Sequence, residues 1–206
     1  MKVTALKYAE STWTEDKMMF GGNPNVIRHL DFVMFLLEEN DRKILVDAGC
    51  DTMSGFDMQN FIGPVSALEK VGLTPADITD VIITHADHDH IDGVRHFGNS
   101  VIHIQRDEYE RGKNYFTDEC KINIFEDECT VFESIKAIKI GGHTKGSSIV
   151  TFENDGRHCV ITGDECYLRE ALEKKMAPNN PRSKAFFEKY SDPKYMVYLC
   201  HDLSEQ

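Results

Sequence analysis

Residues 81–93 read Val-Ile-Ile-Thr-His-Ala-Asp-His-Asp-His-Ile-Asp-Gly. An apolar strand runs directly into six residues, His85 to His90, that hold three histidines and two aspartates. Imidazoles and carboxylates are mostly solvated, and crowding them at the end of a strand gains nothing for a core. At this density they are the donors that a borderline divalent cation takes. The alternative is a solvated acidic loop with incidental histidines. Read as metal chemistry, the segment demands a strand that ends at a site.

Three further segments repeat that placement. Gly141-Gly142-His143-Thr144-Lys145-Gly146-Ser147 sets a histidine in a glycine-rich turn after an apolar run, and Ile161-Thr162-Gly163-Asp164 ends a strand on an aspartate. Tyr195-Met196-Val197-Tyr198-Leu199-Cys200-His201-Asp202 ends the last apolar run on a histidine. Each delivers a polar side chain from a strand to a loop, where sites are built on layered α/β scaffolds. Taken singly, each reads as a surface residue. Their joint pattern is the signal.

The remaining apolar runs predict strands at 3–8, 32–37, 43–46, 81–83, 101–104, 135–140, 148–152, 158–161 and 195–199. Most are rich in Val and Ile and stop at Gly, Asp or Asn. Helical patterns cover 65–71, stopped by Gly72, then 107–113, 167–175 and 183–190, and Thr74-Pro75-Ala76-Asp77 reads as a helix start. Residues 10–30 read as a long loop, which inside a compact domain is often functional. Such interleaving predicts a layered α and β domain, and 206 residues fit one domain over 1–206. The net charge of -12 disfavours nucleic acid and anionic membrane surfaces as partners. No apolar run approaches the ~20 residues that span a bilayer, and the first eight residues turn polar too soon for a signal peptide. A soluble, cytoplasmic protein with reduced cysteines is expected.

On these residues the chain resembles the metallo-β-lactamase superfamily. That family's pattern is His-x-His-x-Asp-His, a His in a Gly-His-Thr-x-Gly turn, a Gly-Asp, and a late His. Here these fall on His85, Asp87, Asp89 and His90, then His143, Asp164 and His201. The resemblance implies a four-layer αββα sandwich with two divalent metal ions, zinc first and manganese or iron as alternatives, at one edge of the sheets. One ion would take His85, Asp87 and His143, the other Asp89, His90 and His201, with Asp164 bridging. Asp47 resembles the family's aspartate behind the ligands. Within the superfamily the chain is most similar to the N-acyl-homoserine lactonase group, which carries a tyrosine three residues after the bridging aspartate, here Tyr167. The resemblance implies a small-molecule lactone substrate opened by a metal-bridging hydroxide, with Tyr167 as oxyanion donor and Asp89 as proton carrier.

Three positions depart from the family pattern. Asp87 stands where the second His is usual, Asp92 where a Gly is usual, and Lys145 where a Pro is usual. Three carboxylates and a hydroxide would cancel the charge of two divalent cations, which predicts a weaker Lewis acid and more tolerance for harder ions. His88 is a substitute ligand in principle and a pocket-edge residue first. His29, His96, His103 and His158 match no ligand position. Trp13, Met18, Met19 and Phe20 read equally as an acyl-chain pocket or as a loop covering the sheet. Two rival readings are a di-iron oxidoreductase of the flavodiiron type without its own flavin domain, and a non-catalytic ligand-binding member.

Overall fold

The strand Ile27–Glu39 buries both of its faces. Val33, Phe35 and Leu37 fall in one apolar cluster, while Phe32, Met34 and Leu36 fall in the other. Side chains alternate across a strand, so this one lies between two cores. A slip of one residue would exchange the two sets, which pins its register.

The computed structural model describes residues 1–52, 57–176 and 181–204. In chain order the elements are β1 (Lys2–Thr14), the helical turn α1 (Glu15–Met18), β2 (Ile27–Glu39), β3 (Arg42–Val46), α2 (Gly63–Glu69), β4 (Asp80–Ile83), the turn α3 (His88–Ile91), β5 (Val101–Gln105), α4 (Arg106–Gly112), β6 (Lys121–Phe125), β7 (Glu128–Phe132), β8 (Ile135–Lys139), β9 (Ser148–Asn154), β10 (Arg157–Ile161), α5 (Arg169–Lys174), α6 (Lys184–Tyr190) and β11 (Tyr195–Tyr198). One sheet has the order β1-β2-β3-β4-β5-β6, the other β11-β10-β9-β8-β7. Strands β3 to β6 run parallel, as do β10 and β11, and the other pairs are antiparallel.

Between the sheets lie Phe35, Leu37, Ile44, Val46 and Ile82 against Val150, Phe152, Cys159 and Ile161. The opposite faces pack on helices: Leu36, Leu45, Val81 and Ile83 share a core with Ala67 and Leu68 of α2, and Val160 shares it with Phe186, Phe187 and Tyr190 of α6. Each Val, Leu, Ile or Phe among these contributes about 1.5–3 kcal/mol by leaving water. The result is the expected four-layer mixed α/β sandwich. Two hydrogen bonds stitch the sheets at one edge, Ser148 N to Thr84 O at 2.8 Å and Asp31 N to His201 O at 3.0 Å. That edge carries the ends of β4, β10 and β11. Among the described residues no helix is long and apolar enough to cross a membrane.

Residues 10–30 are not a long loop. β1 runs on to Thr14 and pairs with β2 down to Thr14 opposite Ile27, with α1 at the tip. Ladder pairing builds this ribbon although its outer half lacks a clean apolar face. Glu15 fixes the tip by accepting from Asn23 N at 2.9 Å and from Arg28 Nε at 2.8 Å. Strands β6 and β7 were not expected. Each lies at the far edge of its sheet with alternating exposed and half-buried residues, so neither carries the apolar run that marks a central strand. The helix start at Thr74 yields a single 3-10 turn, Pro75–Asp77, closed by Asp77 Oδ2 accepting from Thr74 N at 2.8 Å.

Candidate metal centre

The centre begins at the end of β3. Asp47 follows it with φ 63°, the left-handed region that short polar side chains tolerate. From there its Oδ1 accepts from Thr84 N at 2.8 Å and Thr84 Oγ1 at 2.9 Å, and its Oδ2 lies 2.8 Å from His90 Nδ1. Thr84 Oγ1 is in turn 3.0 Å from His85 Nδ1. Both imidazoles are thereby held on one nitrogen by the scaffold, which turns Nε2 of each inward. Gly93 permits this: a Cβ there would lie 2.2 Å from Ala48 O.

His143 arrives on the turn after β8. Glu165 Oε1 accepts from Gly142 N and His143 N, both at 3.1 Å, and from Ser147 Oγ at 2.5 Å. A Cβ at Gly142 would stand 1.9 Å from Glu165 Oε2, so the turn closes over the carboxylate only with glycine there. Glu108 on α4 joins this turn to the β4 loop, accepting from Thr144 Oγ1 at 2.6 Å, Gly146 N at 2.9 Å and Ala86 N at 2.9 Å. His201 follows β11, its Nδ1 2.7 Å from Asp31 O.

Asp164 lies at the middle. Its Oδ1 is 3.0 Å from His90 Nε2 and 2.9 Å from His201 Nε2. Its Oδ2 is 3.6 Å from His85 Nε2, 3.7 Å from His143 Nε2, and accepts from Tyr167 OH at 2.8 Å. Two donor groups result, His85, Asp87, His143 and Asp164 in one and Asp89, His90 and His201 in the other, the ligand atoms of each within 4.8 Å of one another. All seven residues expected as ligands converge here.

The chemistry of the set fits cations. His85 Nε2 is fully buried yet makes no aligned hydrogen bond, with Asp87 Oδ2 at 3.4 Å and Asp164 Oδ2 at 3.6 Å. His90 Nε2 is likewise out of line. Leaving such an atom unsatisfied costs about 1–3 kcal/mol. Burial disfavours charge on His90, but Asp164, Asp89 and Asp47 outweigh it and raise its pKa well above the usual value. Burial and carboxylates oppose in the same way at His143 and His201, and both end raised. Burial likewise pushes Asp164 up, yet His90, His201 and His85 hold it well below the ordinary carboxylate range. The carboxylates therefore draw positive charge into a buried space, which divalent ions supply. Tyr167 is buried and stacks on His201 at 5.1 Å, and burial with the Asp164 charge keeps its phenol protonated.

Asp87, not His88, joins the cluster. His88 Nδ1 is 3.1 Å from Tyr115 OH and its Nε2 is 2.5 Å from Thr52 O. The other histidines face carboxylates elsewhere: His29 beside Asp31, His96 beside Asp51, His103 beside Asp80 and His158 beside Glu153. Asp92 accepts from Asp51 N at 2.9 Å, and Lys145 pairs with Asp107 at 2.7 Å. In a third donor group, Glu10, His29 and Asp31, the two carboxylates hold the Lys7 ammonium, 2.6 Å from Asp31. No disulfide joins the six cysteines, and burial pushes the Cys166 thiol up to about 12, far from a thiolate. Met18 and Met19 are core residues, Phe20 is exposed, and Trp13 lies 6.2 Å from the Tyr167 ring. The sequence does not mark Arg111, Glu108 or Glu165, which reach Asp87, Ala86 and His143 respectively across more than twenty residues of chain.

Residues 33–170 match the family model described as the metallo-beta-lactamase superfamily. The chain is 27% identical to an N-acyl homoserine lactonase of Bacillus cereus, over 89% of this chain and 86% of that protein. It is 25% identical to N-acyl homoserine lactonase AiiA of Bacillus thuringiensis subsp. kurstaki over the same shares. A solved N-acyl homoserine lactone hydrolase with N-hexanoyl-L-homoserine bound at its catalytic metal centre is similar at TM-score 0.79 and 22% identity, covering 98% of this chain and 93% of that one. The dizinc quorum-quenching lactonase AidC is similar at TM-score 0.78 and 16% identity, over 97% and 86%. At such identities the two structures are alike in fold.

Proposed function

The chain belongs to the metallo-beta-lactamase superfamily, and from that membership we propose that it is a dinuclear metallohydrolase that opens the ring of a lactone, an N-acyl homoserine lactone above all. The observation that carries this reading is Asp164, which turns one carboxylate oxygen toward each of the two donor groups. His85, Asp87 and His143 would hold one divalent ion, Asp89, His90 and His201 the other, with zinc as the first expectation. Bound there, the ions supply hydroxide near neutral pH and polarise an ester carbonyl.

The chain's own residues orient and protonate. Asp47, Thr84 and Asp31 fix the rings of His90, His85 and His201 through the nitrogen that faces away from the donor groups. The Tyr167 hydroxyl, a protonated donor 2.8 Å from Asp164 Oδ2, is placed to donate to the lactone carbonyl oxygen as negative charge develops there. Asp89, in the donor group with His90 and His201, would take the proton of the water-derived nucleophile and pass it to the leaving alkoxide.

The test is a hydrolysis screen on protein reconstituted separately with zinc, manganese and iron, against lactones, simple esters and a thioester. Lactone opening that rises with metal loading is expected. Metal-loaded protein that binds a lactone and never opens it overturns the reading. Asp87 favours one second reading, a di-iron oxidoreductase that takes electrons from a separate donor, because a carboxylate suits iron at that position. Reductant-dependent consumption of oxygen or nitric oxide by the iron-loaded protein would decide for it.

A further inference from the structure

Asp87 divides its carboxylate between two kinds of partner. Oδ2 faces the centre, 2.9 Å from His143 Nε2 and 3.4 Å from His85 Nε2. Oδ1 faces outward and accepts from Nη1 and Nη2 of Arg111, each at 2.7 Å. Arg111 is itself held from behind, its Nε donating to Glu108 Oε2 at 3.1 Å, the same oxygen that accepts from Ala86 N. The guanidinium reaches Asp87 because α4 packs directly on the β4 loop: a Cβ at Gly112 would lie 2.7 Å from Ile91 Cδ1 and 2.9 Å from Ala86 Cβ. Position and charge are thus both fixed by the scaffold.

The charge count follows. A neutral imidazole at this position leaves two carboxylates in the ligand set, and Asp87 makes three. Arg111 supplies one compensating positive charge at the oxygen that points away from the centre. The Asp87–Arg111 pair therefore presents one donor atom to the centre, as an imidazole does, with the carboxylate charge offset in part by a guanidinium that Glu108 shares. A carboxylate without that clamp is free to turn both oxygens inward, which favours harder, oxygen-seeking ions.

We infer that Arg111 is a positioning residue that makes Asp87 a one-oxygen, charge-compensated ligand, and that it thereby sets the affinity and metal preference of the His85, Asp87 and His143 position. This rests on the metal-binding part of the proposed function and not on the lactone.

The experiment measures metal content and affinity by chelator competition, and loading from an equal mixture of zinc and manganese, with a thermal melt for each variant. Wild-type protein should hold two ions. In Arg111→Met one of the two should be lost to chelator about 10–100-fold more readily, and the manganese share should rise. Arg111→Lys should fall between, since an ammonium keeps the charge but not the fork. Asp87→His alone leaves the guanidinium beside the cation with Glu108 as its remaining carboxylate partner and should bind zinc more weakly than Asp87→His/Arg111→Met. Unchanged affinity and metal share in Arg111→Met overturn the inference, as does tighter zinc binding by Asp87→His than by the double variant. If Arg111→Met does not fold, Arg111→Lys and the double variant decide by the same measurements. Two bound ions without lactone opening would overturn the proposed function and leave this inference standing. A wild-type chain that binds no divalent ion overturns both.

Discussion

Asp47 Oδ2 lies 2.8 Å from His90 Nδ1, and the same carboxylate accepts from the Thr84 backbone and hydroxyl through Oδ1. One side chain in the left-handed region therefore orients two imidazoles, His90 directly and His85 through Thr84. Both donor groups thus depend on a residue that belongs to neither of them.

Asn at this position keeps the shape and the tolerance for positive φ but loses the charge. Asp47→Asn should bind metal about 10–100-fold more weakly while its metal-free form melts near wild type. Asp47→Ala should lose both metal affinity and thermal stability, because alanine tolerates φ 63° poorly. Calorimetry and metal titration on the two variants check this, and equal affinity in Asp47→Asn would sink it.

Tyr167 donates its one hydroxyl proton to Asp164 at 2.8 Å, and the proposed function has it turn that proton to the lactone carbonyl oxygen as charge develops there. Tyr167→Phe should lower lactone kcat by about two to three orders of magnitude, with metal stoichiometry unchanged. Steady-state kinetics decides. An unaltered kcat would leave the phenol a purely structural role in holding Asp164.

Legibility in the sequence followed the density of the signal. The strand ending at His85 and the isolated His143, Asp164 and His201 were readable because donors at strand ends have no packing purpose. Arg111 was not, since a lone arginine on a short helix carries no local mark and meets Asp87 only through the fold. Edge strands β6 and β7 were missed because half-exposed residues lack an apolar run. Only the outer half of the β1–β2 ribbon, residues 10–30, reads as a loop, because it is held by backbone pairing, which leaves no trace in side-chain pattern.

Gly93 allows the chain after β3 to lie against the turn that follows α3, where its N–H donates to Gly49 O at 2.9 Å. A Cβ would meet Ala48 O at 2.2 Å and Pro64 Cγ at 3.0 Å. Gly93→Ala should destabilise by about 1–3 kcal/mol through overpacking against backbone. Melting curves check it, and a variant as stable as wild type would mean that the two segments separate at little cost.

Asp80 gives the fold an acid dependence remote from the centre. Burial pushes its carboxyl up, but hydrogen bonds from His103 and Thr79 and the Arg42 charge outweigh burial and hold it below the usual range. The stability it contributes is thus present above the unfolded value of about 4 and is lost as pH falls through the lower folded value. Wild type should be more stable than Asp80→Asn at pH ~5, with the gap narrowing below pH ~4. A gap that stays constant across that range would contradict the assignment.

Removing metal exposes the charge imbalance of the centre. Each bound ion at a free concentration 100-fold above its Kd stabilises the fold by about 2.7 kcal/mol, worth several degrees in Tm for a chain of this length. In the chelated protein His90, His143 and His201 take up protons instead, because the carboxylates outweigh burial and raise their pKa values. A raised histidine contributes stability that is fully present below its unfolded value of about 6.5 and is lost as pH rises through the folded value. Protons thus partly replace the ions at pH ~6 and cease to do so in alkaline solution. The melting temperature of chelated protein should fall short of the zinc-reloaded form at both ends, with the shortfall growing from pH ~6 to pH ~9. Scanning calorimetry on the two forms across that range measures it. Coincident melts at every pH would mean that no cation completes the cluster.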